Sequence, residues 1–369
     1  HLSEGNIPVY GSGGLMRYVD EALYQGESIL LPRKGTLTNI QYVNETFWTV
    51  DTIYYSIVDK DKADPYFLYY YLKQLDLSHL NTGTGVPSMT FGAYYDIPIK
   101  LPKLEAQKKI SKILSDLDAK IELNNKINSE LEAMAKLIYD YWFVQFDFPN
   151  EKGKPYKSSG GKMVYNEALK REIPEGWEVK DINEIIEVKD GTHDSPKSQD
   201  YGFKLITSKH LKTKGLDFEK ANYISEEDYK NINKRSQVNT GDILFSMIGN
   251  IGTVYKIEEK TIDFAIKNVA LYKTSAHMAM RNYVYIYLRG YDMQRYMGNV
   301  IAGSIQKFIG LGSLRKMPLM NDSKTISKFE EKTNFIFKEM NVLKVQNQKL
   351  AELRDWLLPM LMNGQVRVN

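Results

Sequence analysis

The sequence predicts a mixed α/β (α+β) protein in which two similar globular domains are separated by two long helices that form a coiled coil. Two observations support this prediction. The chain matches itself at an offset of about 215 to 220 residues, and each copy of the repeat is followed by a long helical segment without glycine or proline. A length of 369 residues also allows about two domains, at roughly 150 residues per domain.

The composition is that of an ordinary globular protein. Hydrophobic residues make up 43% and charged residues 26%, which excludes wholesale disorder and fibrous classes. The absence of cysteine excludes a disulfide scaffold and favours a reducing compartment, so we expect a cytoplasmic protein. No apolar run is long enough to span a membrane, and we expect no membrane partner. Because the net charge is only +3, a nucleic-acid site would have to be local.

The repeat is visible in glycines and aromatic residues that recur in the same order. Residues 26–30 align with 241–244 as a turn into a buried strand, and the aromatic run 66–73 aligns with 282–289, as a strand or a helix. The clearest match is gapless and places Gly83, Thr84, Gly92 and Pro98 on Gly303, Ser304, Gly312 and Pro318. We infer that the two globular halves share one fold.

The two long segments each carry an apolar stripe with the alternating four- and three-residue spacing of a coiled coil. We expect Pro149 and Pro359 to close these segments. Asn124, Asn128 and Asn347 lie on the stripes and would fix the register, unless they face solvent on a merely amphipathic helix. The residues predicted to pack the two helices together are Leu114, Leu117, Ile121, Asn128, Leu131, Ile336, Met340, Leu343, Asn347 and Leu350.

These features predict five segments. The first globular domain covers residues 1–102 and the first long helix 103–148, followed by a linker over 149–172, where Gly, Pro, Ser and Lys crowd together. The second globular domain covers 173–321 and the second long helix 322–362. The first domain lacks a counterpart of about residues 172–201 and the chain begins without methionine, so we expect its amino end to be incomplete.

Catalytic and metal-binding motifs are mostly absent. The sequence has no phosphate-binding loop with a Gly-Lys-Ser/Thr ending, and no closely spaced histidines or cysteines for a metal. Asp64-Pro65-Tyr66-Phe67 is similar to the D-P-P-Y signature of adenine methyltransferases, but the second proline is missing, which favours a capped helix start. We therefore predict no catalytic residue and no metal ligand.

Binding chemistry is concentrated in loops rich in small polar and basic residues. Lysines there could neutralise phosphates, while hydroxyl, amide and imidazole groups could reach base edges, although ordinary solvated loops remain the alternative. The predicted DNA-binding residues are Ser12, Gly13, Arg33, Lys34, Thr36, Thr82, Thr84, Lys204, Thr207, Ser208, Lys209, His210, Lys212, Asn250, Ser304 and Lys307.

Four blocks of the chain resemble the specificity subunit of type I restriction-modification enzymes. They are the residues 101–110 that open the first helix (LPKLEAQKKI), the residues 142–149 (WFVQFDFP), and the pair GKPY (153–156) and IPEGW (173–177). The resemblance covers almost the whole chain, including the repeat. One departure is Asn321-Asp322-Ser323-Lys324, which stands where the family has a Pro-Leu-Glu-x-Gln pattern.

The resemblance implies a non-catalytic DNA reader. In that family each half is a target-recognition domain followed by a conserved helix, and the two helices pack antiparallel so that each domain reads one part of a split, asymmetric DNA target. The implied partners are double-stranded DNA, two modification (methyltransferase) subunits and restriction (translocase and nuclease) subunits. S-adenosylmethionine, ATP and Mg²⁺ would be used by those partners and not by this chain. The rival functions are a stand-alone DNA methyltransferase or nuclease and a coiled-coil adaptor that binds only protein.

Overall fold

The chain divides into two units, one formed by His1–Lys126 with Lys344–Asn369 and the other by Ile127–Leu343. The computed structural model describes residues 3–83, 85–212, 215–303 and 307–366. Each long helix contributes one half to each unit, so the division passes through both helices and not through their ends. None of the helices in these described ranges is long and apolar enough to cross a membrane.

Unit 1 is built on one five-stranded sheet with the strand order β2-β1-β4-β3-β5. Strands β1 and β4 are parallel, and the other neighbours are antiparallel. The bounds are β1 Ile7–Gly11, β2 Gly14–Val19, β3 Tyr24–Pro32, β4 Gln41–Thr49, β5 Ile53–Tyr55, α1 Pro65–Gln74, α2 Phe91–Tyr95 and α3 Leu104–Tyr139, with a 3-10 turn at Ser78–Leu80.

The core of unit 1 has two parts. Leu30, Val43 and Phe47 pack between the strands, where the alternation of the sequence turns their side chains inward. Helix α1 packs the buried Phe67 and Tyr70 against α3 of the same unit. The aromatic run that the sequence left open between strand and helix is therefore helical.

Unit 2 has a larger core and more strands. Its main sheets have the orders β15-β14-β17-β9 and β13-β10-β16, and β18 pairs with β8. The bounds are β6 Met163–Asn166, β7 Arg171–Pro174, β8 Glu178–Asp181, α4 Ile182–Ile185, β9 Val188–Asp190, β10 Phe203–Thr207, β11 Leu211–Lys212, β12 Gly215–Leu216, β13 Tyr223–Ile224, α5 Glu226–Ser236, β14 Ile243–Ser246, β15 Val254–Lys256, β16 Phe264–Lys267, β17 Val269–Tyr272, α6 Arg281–Arg289, α7 Tyr291–Val300, α8 Leu311–Arg315, β18 Pro318–Asn321 and α9 Ser323–Met362. Further 3-10 turns lie at Ser208–His210, Thr274–Ala276 and Met278–Met280.

The predicted repeat is present in the folded chain. Helix α1 corresponds to α6, and α2 corresponds to α8, at the offsets of the aligned sequence. The parallel pair β1 and β4 has its counterpart in β10 and β16. Residues 98–101, which align with β18, form no strand. Their difference from β18 follows from pairing, because β18 pairs with β8, whereas residues 98–101 have no strand partner among the residues that the structure describes.

Helix α3 spans Leu104–Tyr139 and helix α9 spans Ser323–Met362. Helix α3 continues into a π-helical turn, Asp140–Val144. Helix α9 begins after Asp322, whose carboxylate accepts a hydrogen bond from Thr325 N at 2.8 Å, so the departure from the family pattern still provides an N-cap. The expectation that Pro359 ends this helix is wrong, because α9 runs on to Met362. In the last turn a proline removes only one intrahelical hydrogen bond, which the helix tolerates.

The apolar stripes of both long helices are turned away from solvent. Every one of the ten residues predicted to pack the helices is buried or half-buried, and none is exposed. In unit 1, Asn124 Nδ2 donates to Asn347 Oδ1 at 2.8 Å, and Asp118 pairs with Arg354. Residue numbers rise along α3 as they fall along α9, so the two helix halves of this unit pack antiparallel. In unit 2, Tyr139 of α3 and Trp142 of the π-helical turn contact Phe329 of α9.

A carboxylate joins each globular fold to the long helices, but it comes from a different element in each unit. In unit 1, Asp64 caps α1 by accepting from Phe67 N at 2.9 Å, and Ser111 of α3 donates to the same carboxylate. In unit 2, Met280 occupies the position that aligns with Asp64. The cap of α6 is instead the side chain of Glu330 in α9, which accepts a hydrogen bond from Tyr283 N at 2.9 Å. The capped start that the sequence favoured for Asp64-Pro65 is confirmed.

Asp118 makes the second carboxylate contact between the globular fold of unit 1 and the long helices. Its carboxylate accepts hydrogen bonds from Tyr66 at 2.5 Å, from Tyr70, and from Arg354 at 2.8 Å. The Asp118 side chain is only 26% exposed and that of Arg354 only 21%. One acidic residue thus ties α1, α3 and α9 together.

Replacing Asp118 is expected to destabilise unit 1. Asp118→Ala leaves two phenols and a guanidinium without their acceptor, so the free energy of unfolding should fall by about 2 kcal/mol or more. Asp116→Ala is the matched control, since Asp116 is 61% exposed and makes only a surface pair with Lys112. Chemical denaturation of the full chain measures the free energy of unfolding of both variants. Equal losses of stability in the two variants would contradict the structural role of Asp118.

Glu330 makes the stability of unit 2 depend on pH. Burial raises the pKa of Glu330 from 4.5 to about 7, against the opposing effects of the Tyr283 and Asn282 backbone and of Arg281 and Lys256. Between these two pKa values the folded chain holds a proton that the unfolded chain has released, so stability falls as the pH rises through this window.

We expect the free energy of unfolding to drop by about 3 kcal/mol between pH 5 and pH 8 because of Glu330, at about 1.4 kcal/mol per pKa unit. Glu330→Gln should remove this drop. Glu331→Gln, a change at the neighbouring exposed position, should keep it. Denaturation curves at the two pH values provide the measurement, and a Glu330→Gln chain that retains the full drop would exclude this source.

Candidate nucleic-acid interface

In unit 1, the loops that carry the predicted binding residues lie side by side. Ser12 and Gly13 form the turn between β1 and β2, and Asn39 Nδ2 donates to Ser12 O at 2.7 Å. Ser12 N in turn donates to Thr52 Oγ1 at 3.4 Å. These bonds fasten the turn to the segment after β3 and to the turn before β5.

The segment after β3 carries Arg33, Lys34 and Thr36, and it is also tied to the loop that holds Thr82. Met89 N donates to Arg33 O at 2.9 Å, and Thr82 N donates to Ser88 O at 2.9 Å. The structure therefore brings the first-half residues Ser12, Gly13, Arg33, Lys34, Thr36 and Thr82 into one loop cluster. Thr84 lies outside the described residues.

Gly35 allows the close approach within this cluster. It adopts φ +90°, and a Cβ at this position would lie 3.1 Å from Ser12 Oγ. A residue with a side chain would be strained in this conformation and would push against the Ser12 turn. Lys34 and Thr36 on either side are exposed, while the Arg33 guanidinium donates to Asp51 O at 3.2 Å and lies over the Tyr54 ring.

Unit 2 repeats this arrangement with different side chains. Ile309 N donates to Met247 O at 3.0 Å, as Met89 N does to Arg33 O, and Ala302 N donates to Phe308 O at 2.9 Å, as Thr82 N does to Ser88 O. The exposed residues Asn250 and Lys307 lie on these two loops. Ser304 lies outside the described residues.

The carboxyl ends of the parallel strands β10 and β16 lie at the same edge as these loops. Thr207 is the last residue of β10, and Ser208 and Lys209 follow it. Ser208 Oγ donates to Asn268 O at 2.9 Å, just after β16. Ser246, at the end of β14, pairs with Val269, at the start of β17, so Asn268 and the Asn250 loop are at one end of the sheet.

Two of the predicted residues face elsewhere. Lys204 is at the start of β10, where its Nζ donates to Ala221 O at 3.0 Å and lies 3.5 Å from the centre of the Tyr223 ring. His210 is buried, and its Nδ1 accepts from Thr207 N at 3.0 Å. Burial lowers the pKa of His210, with the charge of Lys209 adding to the effect, and the ring caps its own turn through Nδ1. Lys212, two residues further on, is exposed.

Sequence reasoning missed the loop 192–195 and the pair Lys267-Asn268. Thr192 N donates to Ile266 O at 3.0 Å, and Lys267 Nζ donates to Ser195 Oγ at 2.5 Å, so this loop lies beside the end of β16. A signal was present, since Lys267-Asn268 interrupts two buried apolar runs and Asn268 aligns with Asp51 of the first cluster. Among the described residues, no group of three or more His, Cys, Asp or Glu side chains could hold a metal ion.

The geometry defines a class of protein with two related α/β folds, each presenting a cluster of polar and basic loops at one edge of a sheet. The family model for the type I restriction modification DNA specificity domain matches residues 1–133 and 174–321, one match for each half. The chain belongs to this family, whose members are the non-catalytic DNA-recognition components of type I restriction-modification systems.

Individual relatives agree with the family. The type I restriction enzyme MjaIX specificity subunit of Methanocaldococcus jannaschii is 27% identical over 327 residues, which cover 85% of this chain and 72% of the relative. The HindI specificity subunit of Haemophilus influenzae is 24% identical and covers 76% of this chain and 71% of its own length. The crystal structure of the S subunit from M. genitalium shares the fold with a TM-score of 0.53 at 15% identity, over 98% of this chain and 90% of that one.

The placement of the lysines predicts different effects on DNA binding. Lys209→Ala removes an exposed charge from the loop cluster, so it should weaken duplex binding equally for all sequences and reduce the salt slope by about 1. Lys204→Ala should leave the slope unchanged, because Lys204 is engaged at the other end of its strand. Binding of the full chain to duplex DNA at several salt concentrations tests this, and a reduced slope for Lys204→Ala alone would contradict it.

Proposed function

We propose that the chain is the DNA sequence-specificity subunit of a type I restriction-modification system, which reads a bipartite, asymmetric target in double-stranded DNA in the cytoplasm. The observation that carries the proposal is the repeated loop cluster. Its hydrogen-bonded framework is the same in both units, while the exposed side chains differ. A shared framework with different polar groups is suited to reading two half-sites of different sequence.

The long helices are proposed to set the unread gap between the half-sites. Helix α3 has 36 residues and therefore a length of about 54 Å at 1.5 Å per residue. In unit 1, the hydrogen bond between Asn124 and Asn347 defines the register in which α3 packs against α9. Residues 103–148 and 322–362 serve in this proposal as spacers between recognition domains 1–102 and 173–321.

A second apolar stripe on α3 and its π-helical turn supports the recruitment of partner subunits. In unit 2, Ile127, Met134, Leu137, Tyr141 and Val144 are between 37% and 67% exposed, at spacings that place them on one helical face. Exposed apolar patches of this kind mark protein interaction sites. We assign this face to the two modification subunits, which bind S-adenosylmethionine and in turn assemble with restriction subunits that use ATP and Mg²⁺.

Mapping of methylated adenines across the genome tests the proposal. Cells that express this chain with the modification subunit of its system should show one split, asymmetric motif. The absence of any motif would contradict DNA specificity. Methyl transfer from S-adenosylmethionine to DNA by the purified chain alone would favour the stand-alone enzyme instead, and the lack of duplex binding in the assembled complex would favour a protein-only adaptor.

The spacer assignment has its own test. Deleting four residues from each long helix, in phase on facing turns, shortens each by about 6 Å. With base pairs about 3.4 Å apart, the unread gap should shrink by about one or two base pairs while both half-sites keep their sequence. Deleting four residues from the linker, residues 157–160, is the control and should leave the gap unchanged. A motif with an unaltered gap in the helix deletion would refute the spacer role.

A further inference from the structure

Four side chains form a continuous hydrogen-bonded chain at the loop edge of unit 2. Arg235 of α5 donates to Asp190 Oδ1 at the end of β9. His193 Nε2 lies 2.8 Å from Asp190 Oδ2, and His193 Nδ1 lies 2.7 Å from Asn268 Oδ1. Asp190 is only 6% exposed, whereas His193 is 64% exposed. The chain thus leads from a buried, fixed carboxylate to an amide at the surface.

The backbone of Asn268 is held as firmly as its side chain. Its carbonyl accepts from Ser208 Oγ at 2.9 Å, and its N–H donates to Thr192 O at 3.2 Å. It adopts φ +53°, a left-handed conformation that asparagine tolerates better than most residues. A partly exposed side chain that is fixed at both its backbone and its amide loses little entropy when it binds.

The amide keeps hydrogen-bonding capacity towards the outside. Within the part of the chain that the structure describes, Asn268 Nδ2 has no hydrogen-bond partner. The oxygen that faces His193 has a second lone pair. A free donor and a free lone pair on one planar amide match the N7 acceptor and the N6 amino donor on the major-groove edge of adenine.

We propose that Asn268 is the specificity-determining residue for an adenine in the half-site read by unit 2, and that His193 is its positioning residue. The assignment rests on the proposed DNA-specificity function and deepens it. In the first cluster the aligned residue is Asp51, a carboxylate with no donor. The same position in the two units therefore favours different bases, as an asymmetric target requires.

Methylome mapping of variants in the assembled enzyme tests this assignment. Asn268→Gly keeps the backbone conformation and removes the amide, so discrimination at one adenine of one half-site should fall about tenfold or more. Asn268→Asp keeps the shape but leaves only acceptors, so preference at that same position should move towards cytosine. His193→Ala should relax the same position, and the double variant with Asn268→Gly should be no more relaxed than Asn268→Gly alone.

A substitution at Asn231 is the matched control for Asn268→Asp. Asn231→Asp makes the same chemical change on an exposed turn of α5 and should leave the motif intact. An unchanged motif in both Asn268 variants would overturn the assignment, as would relaxation spread over several positions. A wild-type chain that yields no motif would instead contradict the proposed function itself, so the two failures are distinguishable.

Discussion

The attachment of a short helix to the long helices by a carboxylate is the interaction on which each unit depends. Helices α1 and α6 carry the aromatic residues that pack on α3 and α9, and their first N–H groups are satisfied by Asp64 and Glu330. Because an unpaired N–H in such a buried joint is costly, the carboxylate fixes where each sheet sits on its helices. The loops at the edge of the sheet are placed relative to the helices by this joint.

The two units cap the short helix with different residues at aligned positions. Ser111 in the first half aligns with Glu330 in the second, and Asp64 aligns with Met280. The capping carboxyl group has moved from the globular fold to the long helix, while the capped N–H groups of Phe67 and Tyr283 remain equivalent. The exchange gives Glu330 a raised pKa, because its carboxyl is more deeply buried than a cap on a surface turn. The contact between the short helix and the long helix is retained, although the residues that make it differ.

Most of the architecture could be predicted from the sequence because it depends on periodic patterns. The offset of the repeat, the two long helices and their buried stripes follow from spacing alone, and the structure buries or half-buries each predicted stripe residue. The loop residues were harder to assign. Lys204 and Thr207 lie on one short strand, yet they are at opposite ends of it, and only the neighbouring strands decide which end holds the other loops. Asn268 interrupts two apolar runs of the sequence, but no motif marks it or His193 as a binding residue.

The sequence by itself determined that this protein has two related halves and two long helices with matching seams, since local spacing and composition are sufficient for these features. Only the tertiary structure decided which loops share an edge, that His210 is a buried cap, and that Asp190, His193 and Asn268 form one chain. These contacts join residues far apart in sequence, and their geometry is set by strand pairing, which one-dimensional patterns do not contain.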